Sequence, residues 1–179
     1  WKRRAQNKPW YPGETIIAGI GQGYMLTTPL QLAHATALLA MKGVGYKPHL
    51  NQAAVSPLES IQLKNPEHWK TVIDAMVNVM HAPNGTGKKG GALANTQMAG
   101  KTGTAQVVGF AKDAKYNAEL LPEEQRDHAL FVGFAPANNP SIAIAVMVEN
   151  GGSGGGTASP LAGLMVDFWL HKRTTESEP

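Results

Sequence analysis

The stretch MAGKTGTAQV, residues 98–107, sets a lysine among glycines and threonines in a segment otherwise spaced like a sheet strand. Gly100 and Gly103 remove side chains on both sides of Lys101, which lets another backbone lie close against this strand. Thr102 offers a hydroxyl and Lys101 a fixed positive charge, and both suit a carboxylate. A plainer reading is an edge strand that carries a lysine to block edge-to-edge association. That reading accounts for the lysine but not for the paired glycines and threonines.

Outward from this strand, the pattern on the C-terminal side keeps a period of two. SIAIAVMVE (141–149) alternates Ile142, Ile144, Val146 and Val148 with smaller residues, as a strand with one heavily packed face does. ALFVGFA (129–135) precedes it, and Pro136 to Pro140 supply the reversal, so 129–149 reads as a hairpin. The strand around 96–108 is expected to run antiparallel to it. Between them, 109–127 reads as a long exposed connection.

On the N-terminal side the period becomes helical, within a helical region of about 15–83. In TTPLQLAHATALLAMKG (27–43), Thr28 is the expected N-cap, Pro29 the first helical residue and Gln31 the partner in a capping box. Leu30, Ala33, Ala37, Leu38 and Met41 form its apolar stripe, and Gly43 its stop. A second helix begins after Asn65 and Pro66, with Trp69, Val72, Ile73, Met76 and Met80 on its buried face and Pro83 forbidding continuation. A third, at about 160–172, is expected to be capped by Ser159. Leu161, Leu164, Met165 and Phe168 share one of its faces, and His171, Lys172 and Arg173 sit where a helix C-terminus favours positive charge. The run GGSGGG (151–156) reads as a tight connection from strand to helix.

Helices, then a strand meander, then a helix, without strand–helix crossovers, define an α+β chain: an antiparallel sheet with helices packed on its faces. The 179 residues are 42% hydrophobic and 16% charged, which argues for a well-buried globular chain. The net charge is +3, and the basic residues are scattered without an aromatic stripe, so nucleic acid is not an expected partner. A weakly positive surface suits an anionic wall polymer or a small carboxylate. There is no cysteine, hence no thiol nucleophile and no disulfide. No apolar run of membrane-spanning length occurs and no signal peptide opens the chain; Trp1-Lys2-Arg3-Arg4 reads as the interior of a longer one.

Other motifs carry less. In GIGQG (19–23) Tyr24 stands where a dinucleotide fingerprint needs glycine. NGTGKKG (84–90) lacks the leading glycine and the closing Ser/Thr of a phosphate loop and reads as a polar turn. His34, His49, His68, His81, His128 and His171 have no ligand spacing, His34 being a polar flank of its helix; no metal or cofactor is expected.

K-T-G is the third element of a set shared by penicillin-binding proteins and class A β-lactamases, beside S-x-x-K and S-D-N. The chain resembles the class B penicillin-binding transpeptidases of cell elongation in Gram-negative bacteria. The resemblance runs through WYPGETIIAGIGQGYMLTTPLQLAHATALLAMKG (10–43), NGTGKKGG (84–91), MAGKTGTAQV (98–107) and RDHALFVGFAPANNPSIAIAVMVENGG (126–152), in the family's order. It implies the C-terminal portion of one transpeptidase domain of penicillin-binding protein/serine β-lactamase fold. The departure is that none of the six serines (Ser56, Ser60, Ser141, Ser153, Ser159, Ser177) has lysine three residues later or asparagine two residues later. In this family both motifs lie N-terminal to the KTG strand, as expected if the chain is a C-terminal piece. An activated serine needs a base within reach, so the segment alone is expected to be inactive.

By the same resemblance, Lys101 would complete the charge network around the missing serine and Thr102 would bind the terminal carboxylate of a D-alanyl-D-alanine stem peptide or of a β-lactam. Gly103 would give clearance, the Thr104 backbone N–H would be an oxyanion-hole donor, and NGTGKKG would lie near the substrate cleft. The implied setting is a periplasmic domain anchored in the inner membrane through a segment not present here, beside a glycan-polymerising partner and elongation-machinery proteins. A serine β-lactamase or carboxypeptidase of the same fold, and a non-catalytic scaffold that has lost the serine, stand as alternatives.

Overall fold

A computed structural model describes residues 1–51, 56–108 and 120–176, with side chains as far as His171. The helices are α1 (Lys2–Gln6), α2 (Pro12–Gly19), α3 (Pro29–Ala40), α4 (Glu67–His81), α5 (Lys88–Leu93) and α6 (Ser159–Glu176). The strands are β1 (Ala99–Ala105), β2 (His128–Ala135) and β3 (Ile142–Val148). They form one antiparallel sheet in the order β1-β2-β3, with Lys101 opposite Val132 and Val132 opposite Ala145. The expected α+β architecture is the one observed.

The period of two assigns the two sheet faces. Ile144 is buried, and Ile142, Val146 and Val148 pack beside it against Phe131, Met80, Ala158 and the α6 residues Ala162 and Val166. On the other face Ala99, Phe134 and Ala143 meet α3 and α4 through Ala40, Ile73 and Met76. Further along that face, toward Lys101, the surface opens into a groove.

Local signals explain several boundaries. The α3 capping box forms: Thr28 Oγ1 accepts from the Gln31 N–H at 3.2 Å, and Gln31 Oε1 accepts from the Thr28 N–H at 2.8 Å. Asn65 Oδ1 accepts from the Glu67 N–H at 3.0 Å, and α4 stops at His81, before Pro83. His34, half-buried, places Nε2 3.1 Å from the Tyr46 carbonyl oxygen.

Other expectations need correcting. Ser159 does not cap α6. Ser153 instead caps a π-helical turn over Gly154–Ala158, accepting from the Gly156 N–H at 3.0 Å, and that turn runs directly into the helix. The glycine run is therefore a connection only over 151–153, and its second half is helical. Glycine is needed at 154 because a Cβ there would collide with the carbonyl oxygens of Gly103 and Leu130. The helix thus lies flush on the sheet, and its small face is the buried one: Ser159, Ala162 and Val166 are each fully buried. The stripe of Leu161, Leu164, Met165 and Phe168 is exposed instead. It also continues to Glu176, so His171 lies ahead of its last turn, while the side chains of Lys172 and Arg173 lie outside the described residues.

On α3, Leu30 and Met41 are exposed and Thr36 and Ala40 are buried, because the helix too lies close on the sheet through its small residues. On α4, Val72 is exposed and Val77 and Val79 pack inward. NGTGKKG is a turn only as far as Gly87; Lys88 opens α5. Of the connection 109–127, residues 109–119 lie outside the described residues, Glu123–Gln125 form a 3₁₀ turn, and Asp127 is buried rather than exposed. Gly100 admits no foreign backbone: its missing Cβ makes room for the Phe131 ring.

Candidate functional site

Among the described residues, strand β1 has β2 on one side and no strand partner on the other. Along this face, Lys101, Gly103 and Ala105 share one wall of a groove of about 530 Å³. The opposite wall is the segment between α2 and α3, including Ile20, Gln22 and Leu26. Lys101 is solvent-accessible but lines this groove, and its Nζ donates to the Thr102 carbonyl oxygen at 2.7 Å. Gly103 adds no side chain to the wall; a Cβ there would stand 3.3 Å from Leu130 Cβ.

The groove segment is anchored from behind by an aromatic–cation cluster. Tyr24 packs at a tilt beside Trp1 and Trp10, at centroid distances of 5.4 and 6.2 Å. Lys2, only 5% exposed, pairs with Glu14 and places Nζ 4.6 Å from the Tyr11 ring centroid and 5.4 Å from that of Tyr24. The Lys2 ammonium, followed by the Tyr11 N–H, holds the Glu14 carboxyl below the usual carboxylate range. From this anchored segment Gln22 Nε2 donates to the Thr104 carbonyl oxygen at 3.4 Å.

That contact fixes an orientation. In an antiparallel pair, alternate residues turn their N–H and C=O toward the neighbouring strand and away from it. Since Gln22 reaches the Thr104 carbonyl from outside the sheet, the Thr104 main chain belongs to the outward set, at the open edge.

Thr102 points to the other face. Its Oγ1 lies 3.0 Å from Thr86 Oγ1, on the turn between α4 and α5. The four residues from Lys101 to Thr104 therefore present a cation and a side-chain-free position toward the groove, a main-chain edge outward, and a hydroxyl paired across the strand. Gln22 and Thr86 were not singled out as individual site residues by sequence reasoning, although both lie in glycine-rich stretches it had marked. Such loop positions have no periodicity to reveal where tertiary packing will set them.

The chain matches the penicillin binding protein transpeptidase domain family over residues 2–165 and belongs to it. It is 40% identical to the peptidoglycan D,D-transpeptidase MrdA of Haemophilus influenzae over 188 aligned positions, covering 99% of this chain and 29% of that protein. It is 43% identical to the MrdA of Acinetobacter baumannii, covering 97% of this chain and 27% of that protein. Among solved structures, Pseudomonas aeruginosa PBP2 in complex with WCK 5153 superposes with a TM-score of 0.80 at 48% identity, covering 95% of this chain and 35% of that one. A complex between PBP2 and MreC from Helicobacter pylori gives 0.77 at 32% identity, covering 96% of this chain and 30% of that one. The fold is that of the penicillin-binding protein transpeptidases, and the chain spans less than a third of the curated relatives named here. Among the described residues no helix is long and apolar enough to cross a membrane.

Proposed function

We propose that this chain supplies the KTG-strand wall of a serine D,D-transpeptidase that cross-links peptidoglycan and is acylated by β-lactams. The observation that carries the reading is the placement of Lys101–Thr104 on a sheet edge beside a groove, in a chain of the transpeptidase family. In the complete enzyme a serine attacks the penultimate D-alanine carbonyl, D-alanine leaves, and the amino group of a neighbouring stem peptide resolves the ester. Lys101 supplies positive charge to the network around that serine. Thr102 hydrogen-bonds the terminal carboxylate, and Gly103 leaves clearance for the peptide backbone. The outward Thr104 N–H donates to the developing oxyanion, a contribution of about 3–4 kcal/mol for a preorganised donor.

The nucleophile comes from outside these residues. Ser159, at the start of α6, is fully buried and its hydroxyl donates to the Gly87 carbonyl oxygen. A periplasmic position in an inner-membrane-anchored protein, working with a glycan-polymerising partner, follows from the same reading. The PBP2–MreC complex of H. pylori supports elongation-machinery proteins as further partners.

Fluorescent penicillin tests the proposal. It is expected to label the transpeptidase that joins this chain to an S-x-x-K segment and to leave the isolated 179 residues unlabelled. Covalent labelling of the isolated chain would place the nucleophile among its own serines and overturn the assignment.

A further inference from the structure

We infer that Thr86 is a positioning residue for the carboxylate subsite: its hydroxyl donates to Thr102 Oγ1, leaving the Thr102 proton free for a bound carboxylate. The inference rests on the reading of Lys101–Thr104 given above and extends it to a residue on a different element.

The two Oγ1 atoms are 3.0 Å apart, and geometry alone allows either to donate. The chemistry of the ligand decides. A hydroxyl has one proton and two acceptor sites, whereas an ionised carboxylate only accepts. If Thr102 donated to Thr86, its proton would be spent and it would meet the carboxylate with lone pairs. If Thr86 donates, the chain runs Thr86 O–H to Thr102 Oγ1 and Thr102 O–H to carboxylate, each bond polarising the next. Carboxylate binding therefore selects the second arrangement, with Thr86 as its terminal donor.

The turn is built to keep Thr86 in place. The adjacent Gly87 N–H donates to the Val79 carbonyl oxygen at 2.9 Å, and Ser159 Oγ donates to the Gly87 carbonyl oxygen at 2.9 Å. On the other side, Gly155 lies so close that a Cβ would fall on the Thr86 carbonyl oxygen. The end of α4 and the start of α6 thus hold the backbone on which this hydroxyl stands.

The test uses the full-length transpeptidase and separates the pre-acylation dissociation constant from the acylation rate constant, for a penicillin and for its methyl ester. Thr86→Val is expected to weaken binding of the free carboxylate about tenfold, to change the acylation rate constant little and to leave the ester nearly unaffected. Thr86→Ser should restore the penicillin constant. The double variant Thr86→Val/Thr102→Val should lose no more than Thr102→Val alone, because Thr86 acts through Thr102. Thr86→Ala gives the same readings should the valine variant lose thermal stability. An unchanged carboxylate-to-ester ratio, or additive losses in the double variant, would overturn the inference. If Thr102→Val itself leaves penicillin binding unchanged, it is the reading of the KTG strand that falls.

Discussion

Ser159 and Gly87, 72 residues apart, are joined by a 2.9 Å hydrogen bond in which the fully buried serine hydroxyl donates to the glycine carbonyl oxygen. This bond ties the start of the last helix to the turn that carries Thr86. Removing the donor leaves the carbonyl without this hydrogen bond, a loss that costs about 1–3 kcal/mol when the group is away from water. Ser159→Ala should lower unfolding stability by that amount in denaturant titration. A loss below a few tenths of a kcal/mol would mean the carbonyl finds another donor.

The close seat of the π-helical turn gives a paired prediction. At Gly154 a Cβ would collide with two carbonyl oxygens and stand 2.9 Å from the Gly103 nitrogen, so Gly154→Ala must displace backbone, at about 1–3 kcal/mol. At Gly156 the nearest atom is the Ser153 hydroxyl oxygen at 2.8 Å, a side chain that can rotate away at the loss of its cap bond, about 1 kcal/mol. Gly156→Ala is expected to cost clearly less. Thermal unfolding of the two variants side by side checks the ordering, and equal losses would contradict it.

Lys101 lines the groove while remaining solvent-accessible, so its truncation should leave the fold intact. In the complete transpeptidase, Lys101→Ala is expected to slow acylation by about 100-fold or more at unchanged melting temperature, as loss of a preorganised charge does. Stopped-flow acylation measures this, and wild-type kinetics would remove Lys101 from the mechanism.

The Glu14 carboxyl, held low first by Lys2 and then by the Tyr11 N–H, gives a pH dependence of definite sign. A depressed folded pKa means that the unfolded chain binds the proton more readily, so the contribution is present above the ordinary carboxylate value of 4.5 and is lost as pH falls through the folded pKa. Tryptophan emission from the Trp1–Trp10–Tyr24 cluster should therefore change on acidification below the ordinary carboxylate value of 4.5. Glu14→Gln should remove that transition. Persistence of the same transition in the variant would assign it to another carboxylate.

What could be read beforehand was whatever a local rule governs. Thr28 and Gln31 announced the α3 cap, Pro83 the end of α4, and the alternation from Ile142 to Val148 the packed face of β3. The misassigned helix faces share a cause: apolar size does not mark the buried face, for α6 buries Ser159, Ala162 and Val166 and exposes Phe168 and Leu164. A helix seated directly on backbone needs small residues at the contact, and only the position of the other backbone reveals that. That Lys101 and Thr102 stand on a strand was legible from their spacing. Thr86 and Gln22 depend on where two loops come to rest, which local sequence does not encode.

Gly154 against the Gly103 and Leu130 carbonyls has a mechanical meaning. The groove wall is braced from its rear by main chain touching main chain, with no compressible side chain between as a cushion. Tilting the final helix therefore tilts the wall, so alterations near the C-terminus that never approach a ligand would be felt as a change in groove width.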